Sequence, residues 1–250
     1  MWWWFWVPEP TLRVCALYPE LMNIYADRGN LLLLERRCRW RGLGFELLRS
    51  DLGEGLDPDS ADLFYIGGGQ DRDQKRCAAD LVEFKREALA EAATRGAVVL
   101  GVCGGYQLLG HSYELAEATL PGVGLIDIRT VREPGPRLIG NVAIEVELSP
   151  GRREVLAGFE NHGGRTYLGS GSRPLGRVLK GHGNNAKDGY EGVRDGTIIG
   201  TYLHGPLLPK NVWLADWLIE TALALPGPLE PLDDRLEAEA HREARQAAGL

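Results

Sequence analysis

Residues 97–107 read AVVLGVCGGYQ, an apolar run that leads into a cysteine with glycines close on both sides. The run has the length and β-branched content of a buried strand, and the residues after it favour a helix. Gly101, Cys103 and Gly105 have the spacing of a strand-to-helix turn in which small residues permit a strained backbone. Such a turn projects its central side chain from the carboxyl end of a parallel sheet, where open α/β folds bind ligands. The stretch therefore predicts an α/β protein with Cys103 as its nucleophile.

Cys103 is set apart from the other cysteines by this predicted turn. A lone cysteine is more often a buried structural residue than a reactive one. A position at a helix N-terminus changes that balance, because the helix dipole and free N–H groups stabilise a thiolate. The remaining cysteines lack such a setting and form no C-x-x-C pair; they are Cys15, Cys38 and Cys77. We therefore expect a reducing compartment, no metal site and no disulfide framework.

Strand-like and helical runs alternate outward from this stretch. Strands are predicted at 12–18, 44–48, 62–66, 97–102 and 197–203, and helices at 31–40, 73–95 and 211–225. This rhythm predicts a mostly parallel central sheet with helices on both faces. The alternating residues 142–148 and the many glycines after Gly158 predict an antiparallel portion in the C-terminal part.

The chain ends differ in composition from the part between them. We assign residues 12–225 to one α/β domain, and residues 226–250 to a charged tail with helix-forming composition. Residues 1–11 are interpreted as a disordered or artefactual tail. Its first seven residues, MWWWFWV, are far fewer than the ~20 needed to span a bilayer. The net charge of -7 disfavours nucleic acid as a partner, since phosphate binding requires a basic face.

Two backbone features are candidates for stabilising the negative oxygen that forms when a thiol attacks an amide. The first is the N–H of Gly104, which directly follows the nucleophile. The second is the loop Gly67-Gly68-Gly69, at the end of a neighbouring strand, where glycine lets the backbone approach a substrate closely. Gly68, Gly69 and Gly104 are therefore the predicted oxyanion site.

The candidate base is His204, because a histidine pairs with a cysteine nucleophile to generate the thiolate. It follows a predicted strand and is held by Gly205-Pro206, which suits a residue facing a neighbouring strand end. His162, in a glycine-rich loop, is the alternative. The other histidines are interpreted as turn or surface residues; they are His111, His182 and His241.

Four segments together resemble the class I glutamine amidotransferases, and more narrowly the branch that includes the glutaminase domains of cobyric acid synthases. They are Asp27-Arg28-Gly29-Asn30, Gly67-Gly68-Gly69-Gln70-Asp71, the turn around Cys103, and Tyr202-Leu203-His204-Gly205-Pro206. Two further segments are similar to the free-standing glutaminase subunits of lipid II isoglutaminyl synthases: Met22-Asn23-Ile24-Tyr25 and Arg137-Leu138-Ile139-Gly140-Asn141. The resemblance implies a three-layer α/β fold.

The resemblance also implies a partner and a substrate. The partner is a Mur-ligase-like, ATP-dependent subunit that forms a heterodimer with this chain, carries ATP and Mg²⁺ itself, and binds lipid II. This chain then needs no cofactor of its own. It hydrolyses L-glutamine in the cytoplasm, near the inner face of the membrane, and delivers ammonia. Arg137 is implied to bind glutamine, and a guanidinium pairs well with a carboxylate.

One position departs from the family pattern. Many class I amidotransferases carry a glutamate two residues after the catalytic histidine, but Pro206 stands there. Glu20, Glu160 or a residue of the partner could orient the histidine instead. Two other functions stay open: ammonia supply for a cobyric acid-type cofactor amidation, and a catalytically silent subunit that only binds a partner.

Overall fold

The computed structural model describes residues 9–24 and 27–250. In this part, the strands are β1 (Thr11–Leu17), β2 (Gly44–Ser50), β3 (Leu63–Ile66), β4 (Val98–Val102), β5 (Ser112–Glu114), β6 (Thr119–Pro121), β7 (Ile128–Val131), β8 (Leu138–Ser149), β9 (Arg152–His162), β10 (Arg165–Leu168), β11 (Gly176–Lys180), β12 (Tyr190–Glu191), β13 (Val193–Asp195) and β14 (Ile198–Thr201). The helices are α1 (Arg28–Trp40), α2 (Asp71–Asp80), α3 (Arg86–Thr94), α4 (Gly104–Leu109), α5 (Val212–Ala222) and α6 (Arg235–Ala248). Most of the predicted N-terminal tail, residues 1–8, and Tyr25 of the quoted motif lie outside the described residues.

The central sheet has the strand order β13-β14-β4-β3-β1-β2. Its strands pair in parallel, except for the antiparallel edge strand β13. Every residue of β3, β4 and β14 is buried, and nearly all of them are apolar or glycine, as expected for a sheet covered on both faces. Val102 pairs with Thr201 and Gly101 with Ile66, so these three strands end at one edge. The predicted mostly parallel sheet is confirmed.

The predicted antiparallel portion is also present, as two smaller sheets. One has the order β10-β7-β5-β6 and the other β12-β11-β8-β9. The β8–β9 hairpin is the longest pairing, and its register sets Leu138 opposite His162. This register brings Arg137, the residue before β8, beside the carboxyl end of β9.

The helix predicted at residues 73–95 is interrupted. Between α2 and α3 the chain forms a π-helical turn, Leu81–Lys85, instead of a regular α-helical turn. Lys85 is fully buried there and donates to Asp80 Oδ1 at 2.7 Å and to two backbone carbonyls of the 51–54 loop. Helical composition cannot signal this turn, because the acceptors that satisfy the ammonium include atoms far away in the sequence.

The C-terminal residues pack on the domain. Helix α6 contacts β8 and β9, and Asn141 Nδ2 donates to the Ala247 carbonyl at 3.0 Å. Arg37 on α1 is fully buried and forms ion pairs with Asp216 on α5 and with Asp234 at the start of α6. Among the described residues, none of the helices has the length and apolarity required to cross a bilayer.

Candidate active site

The predicted strand-to-helix turn is present at Cys103. This residue has φ 52° and ψ -104°, between the end of β4 and the start of α4. A non-glycine residue at positive φ is strained, which is the conformation that the turn requires. Its neighbours must be small: a Cβ on Gly105 would overlap the Ile66 carbonyl oxygen, and one on Gly101 would lie 3.0 Å from the backbone of Gly105.

The environment of the Cys103 thiol favours the protonated form. Burial raises its pKa to about 12, and the nearby Asp27 acts in the same direction. Arg137 and the Gly104 N–H lower the pKa, but burial outweighs them. The N–H at the helix N-terminus thus acts in the expected direction, but burial leaves the thiol as the favoured form. Helix α4 has only six residues, and its first turn is buried with the thiol.

The glycine loop after β3 lies against Cys103, the candidate nucleophile. A Cβ on Gly104 would lie 2.9 Å from the Gly69 nitrogen, so these two residues are adjacent beside Cys103. The Gly68 N–H is engaged elsewhere, because it donates to Asp27 Oδ2 at 2.6 Å. Gly68 is therefore not available as an oxyanion donor in this conformation. The oxyanion roles of Gly69 and Gly104 remain a prediction.

His204 is anchored through the backbone, close to the strand-to-helix turn at Cys103, which we call the elbow. The Cys103 N–H donates to the Thr201 carbonyl at 2.8 Å, which ties the segment leading to His204 to the nucleophile. His204 and Phe159 exchange two backbone hydrogen bonds, at 3.0 and 3.1 Å. Burial lowers the pKa of His204 to about 4, with smaller contributions from His162, Lys210 and Arg137. The ring is therefore neutral near pH 7, the form that accepts a proton.

His162 lies on the wall of the cavity that contains Cys103. Its Nδ1 is 2.8 Å from the Gly164 carbonyl oxygen, so Nδ1 carries the proton and Nε2 is left as an acceptor. Its ring stacks on Tyr202 with centroids 3.5 Å apart and planes 4° apart. Nε2 lies 3.8 Å from Glu160 Oε2, and burial lowers the pKa of His162.

The cavity has a volume of about 400 Å³, within the range of small-molecule sites. Cys103, Gly69, Arg137 and His162 line it, whereas His204 is not among its lining residues. Arg137 donates from Nε and Nη2 to Asn161, at 2.8 and 2.7 Å. These bonds hold the guanidinium at the cavity wall, where it can meet a carboxylate.

The two glutamates proposed to orient the histidine differ in their surroundings. Glu20 is largely exposed and pairs with Arg49. Glu160 is fully buried, accepts from the amides of His182 and Gly183 at 2.6 and 2.9 Å, and lies near His162. Glu160 is therefore the internal candidate, and it faces the alternative histidine.

Sequence reasoning missed Glu191. It is fully buried and accepts from the Tyr202 N–H at 2.6 Å and from Thr201 Oγ1. Its carboxyl group thus fixes the segment that leads to His204. The two-residue strand β12 gives no pattern from which this role could be read.

The segments that carried the family resemblance meet in space. The Asp27 carboxyl group accepts the Gly68 N–H. Asn30 Oδ1 accepts from the Leu208 N–H at 2.8 Å. A Cβ on Gly29 would lie 2.9 Å from the Pro206 ring. The D-R-G-N segment therefore supports both the glycine loop and the histidine segment, which explains why these motifs occur together.

Comparisons with known proteins agree with this geometry. The chain is 40% identical over 237 residues to the lipid II isoglutaminyl synthase (glutamine-hydrolyzing) subunit GatD of Staphylococcus aureus (strain N315), covering 94% of this chain and 93% of that protein. It is 38% identical to the subunit of the same name from Streptococcus pneumoniae (strain ATCC BAA-255 / R6), covering 85% and 80%.

The fold is also found among solved structures. The structure of PurLQS from Thermotoga maritima superposes with a TM-score of 0.52 at 21% identity, covering 87% of this chain and 96% of that one. The sequence model of the CobB/CobQ-like glutamine amidotransferase domain matches residues 13–212. By this match and by its identity to both GatD subunits, the chain belongs to the CobB/CobQ-like glutamine amidotransferase family.

Proposed function

We propose that this chain is the glutaminase subunit of a lipid II isoglutaminyl synthase and that Cys103 forms a γ-glutamyl thioester. The observation that carries the chemistry is the Cys103 elbow beside Gly69 and Gly104, in a cavity that also presents Arg137. The sulfur attacks the amide carbon of glutamine while the thiol proton passes to the base. The oxyanion intermediate collapses, and ammonia leaves with that proton. Water then cleaves the thioester to release glutamate.

His204 is proposed as the base, and Arg137 as the group that binds the glutamine α-carboxylate. Proton transfer is unfavourable in the free chain, because the thiol has a pKa of about 12 and the imidazole a pKa of about 4. A partner that reshapes this cavity or supplies an acidic side chain would narrow the gap. We therefore propose that the isolated chain is a poor glutaminase and that docking of its partner activates it. This arrangement avoids releasing ammonia into water before an acceptor is ready.

The names of the relatives support the choice of acceptor. This chain matches 93% and 80% of the length of the two GatD subunits. The proposed partner is a Mur-ligase-like subunit that uses ATP and Mg²⁺ to activate the α-carboxylate of D-glutamate in lipid II. Ammonia from this chain then forms D-isoglutamine. The proposal places the chain in the cytoplasm, near the inner face of the membrane.

Reconstitution with the ligase subunit tests the whole proposal. Lipid II, ATP and Mg²⁺ are supplied with either glutamine or ammonium chloride, and amidated lipid II is measured by mass spectrometry. Wild-type chain should support both nitrogen sources, and Cys103→Ala only ammonium. If no glutamine is consumed by wild type with its partner, the chain is a silent binding subunit. If lipid II is unchanged, but a corrinoid carboxylate supplied in a parallel reaction is amidated, the cofactor-synthesis alternative is correct.

Partner dependence is tested by comparing glutamine hydrolysis by the chain alone and mixed with the ligase subunit. The mixture should be faster by at least tenfold. Equal rates would refute activation by docking and would direct attention to Glu160 as an internal orienting residue.

A further inference from the structure

Asp27 is a buried carboxyl group without a cationic partner among the described residues. Asp27 is only 1% exposed. Its side-chain oxygen Oδ1 has no hydrogen-bond partner in the described part of the chain. Buried carboxylates are ordinarily paired, as Asp80 is with Lys85. An unpaired one beside a nucleophile is a candidate for a functional role rather than a structural one.

Among the described residues, the hydrogen bond of the Asp27 side chain leads directly to the candidate active site. Oδ2 accepts the Gly68 N–H at 2.6 Å. A Cβ on Gly68 would lie 3.1 Å from that oxygen and 3.4 Å from the Cβ of Cys103, so Gly68 separates the carboxyl group from the nucleophile. The next amide along the chain is that of Gly69, which adjoins Gly104.

We propose that Asp27 is a positioning residue for the glutaminase reaction: by holding the Gly68 amide, it fixes the glycine loop so that the Gly69 amide joins that of Gly104 in stabilising the oxyanion. This inference rests on the proposed function. Glycine peptides rotate easily, so an unrestrained loop would spend much of its time with the Gly69 N–H turned away. The hydrogen bond to Asp27 Oδ2 prevents this peptide rotation before substrate binds. Donors that are oriented in advance are the ones that accelerate acyl transfer.

The charge of Asp27 adds a second, separable effect. Burial raises the pKa of Asp27 to about 7, while the Gly68 amide opposes the rise. The ionisable groups around Asp27 and the Cys103 thiol include Tyr65, Asp71, Arg137 and Tyr202. When ionised, Asp27 disfavours the Cys103 thiolate, and only Arg137 in this set acts in the opposite direction.

Two substitutions separate the hydrogen bond from the charge. Asp27→Asn keeps an acceptor for the Gly68 N–H and removes the charge. Asp27→Ala removes both. With the full chain and its ligase subunit, Asp27→Ala should lower kcat for glutamine hydrolysis by about 100-fold, with KM changed less than threefold, since losing one oxyanion donor costs about 10²–10³. Asp27→Asn should retain kcat within about fivefold.

The Asn variant provides a readout that does not depend on turnover. Alkylation of Cys103 by iodoacetamide, followed by peptide mass spectrometry from pH 6 to 10, should be about tenfold faster at pH 8 than in wild type, because a like charge has been removed. Cys103→Ala gives the background from the other thiols. Thermal melts report whether each variant is folded.

The outcomes distinguish this inference from the proposed function. Wild-type kcat in a folded Asp27→Ala variant, or a 100-fold loss in a folded Asp27→Asn variant, would refute the positioning role while leaving the glutaminase assignment intact. If Asp27→Ala does not fold, the Asn variant alone decides by the same criterion. A wild-type chain that never consumes glutamine refutes the proposed function, and the inference falls with it.

Discussion

The two sides of the candidate active site are built in different ways. The nucleophile side, made of Cys103 with Gly69 and Gly104, comes from the ends of two adjacent parallel strands and needs only small residues next to them. The histidine side, made of His162, Tyr202 and His204, depends on a ring stack, a backbone bridge and buried carboxyl groups. The comparison teaches that local backbone geometry positions the proposed nucleophile, whereas tertiary packing positions the proposed base. A docking partner can therefore act most readily on the histidine side.

Removing the nucleophile should have the largest effect. Cys103→Ala should abolish glutamine hydrolysis, because no other group in the cavity can form the thioester. The matched control is Cys77→Ala, a buried cysteine on α2 that lies away from the cavity lining. Ammonia release is measured by a coupled assay on folded protein. Residual glutaminase activity in Cys103→Ala comparable to the control would show that the nucleophile is elsewhere.

The histidine side is tested by two alanine variants measured in parallel. His204→Ala should reduce kcat by about 10²–10⁴, the usual contribution of a general base. His162→Ala should cost less, because its Nδ1 is committed to a backbone carbonyl and its ring packs on Tyr202. A larger loss from His162→Ala would assign the base to the histidine that lines the cavity, with Glu160 as its orienting residue.

Substrate binding should show a smaller effect. Arg137→Ala should raise the glutamine concentration for half-maximal rate by about tenfold or more, since a charge-assisted contact contributes about 1.5–3 kcal/mol. Arg137→Lys serves as the control, because it keeps the charge but cannot pair bidentately. A glutamine titration of the hydrolysis rate gives both parameters. An unchanged titration for Arg137→Ala would contradict a role in glutamine binding and leave this side chain with its structural hydrogen bonds to Asn161.

The last prediction concerns the stability of the histidine side rather than its activity. Burial raises the pKa of Glu191 from 4.5 to about 8. A carboxyl group whose pKa is higher in the folded state stabilises fully below pH 4.5, and that stabilisation is lost as the pH rises through about 8, by up to about 1.4 kcal/mol per pH unit. Glu191→Gln cannot ionise, so its Tm should rise relative to wild type between pH 5 and pH 9. The exposed Glu83→Gln should show no such trend.

The fold and the strained turn at Cys103 were predictable from sequence pattern. Alternating apolar runs predicted the parallel sheet, and the glycines around Cys103 predicted its strained turn, because both depend on steric limits within a few residues. The same reasoning failed at the π-helical turn before Lys85, whose partners include backbone atoms of residues 51–54. It also failed for the protonation of Cys103, because desolvation depends on what covers a side chain.

The sequence by itself therefore determined the architecture, the elbow and a choice between two histidines. Only the tertiary structure decided which groups surround them: Asp27 on the Gly68 amide, Glu191 on the histidine segment, and Glu160 near His162. The physical reason is the range of each interaction. Backbone sterics act between neighbours in the chain, whereas burial and hydrogen bonding of a carboxyl group depend on segments tens of residues away that folding brings into contact.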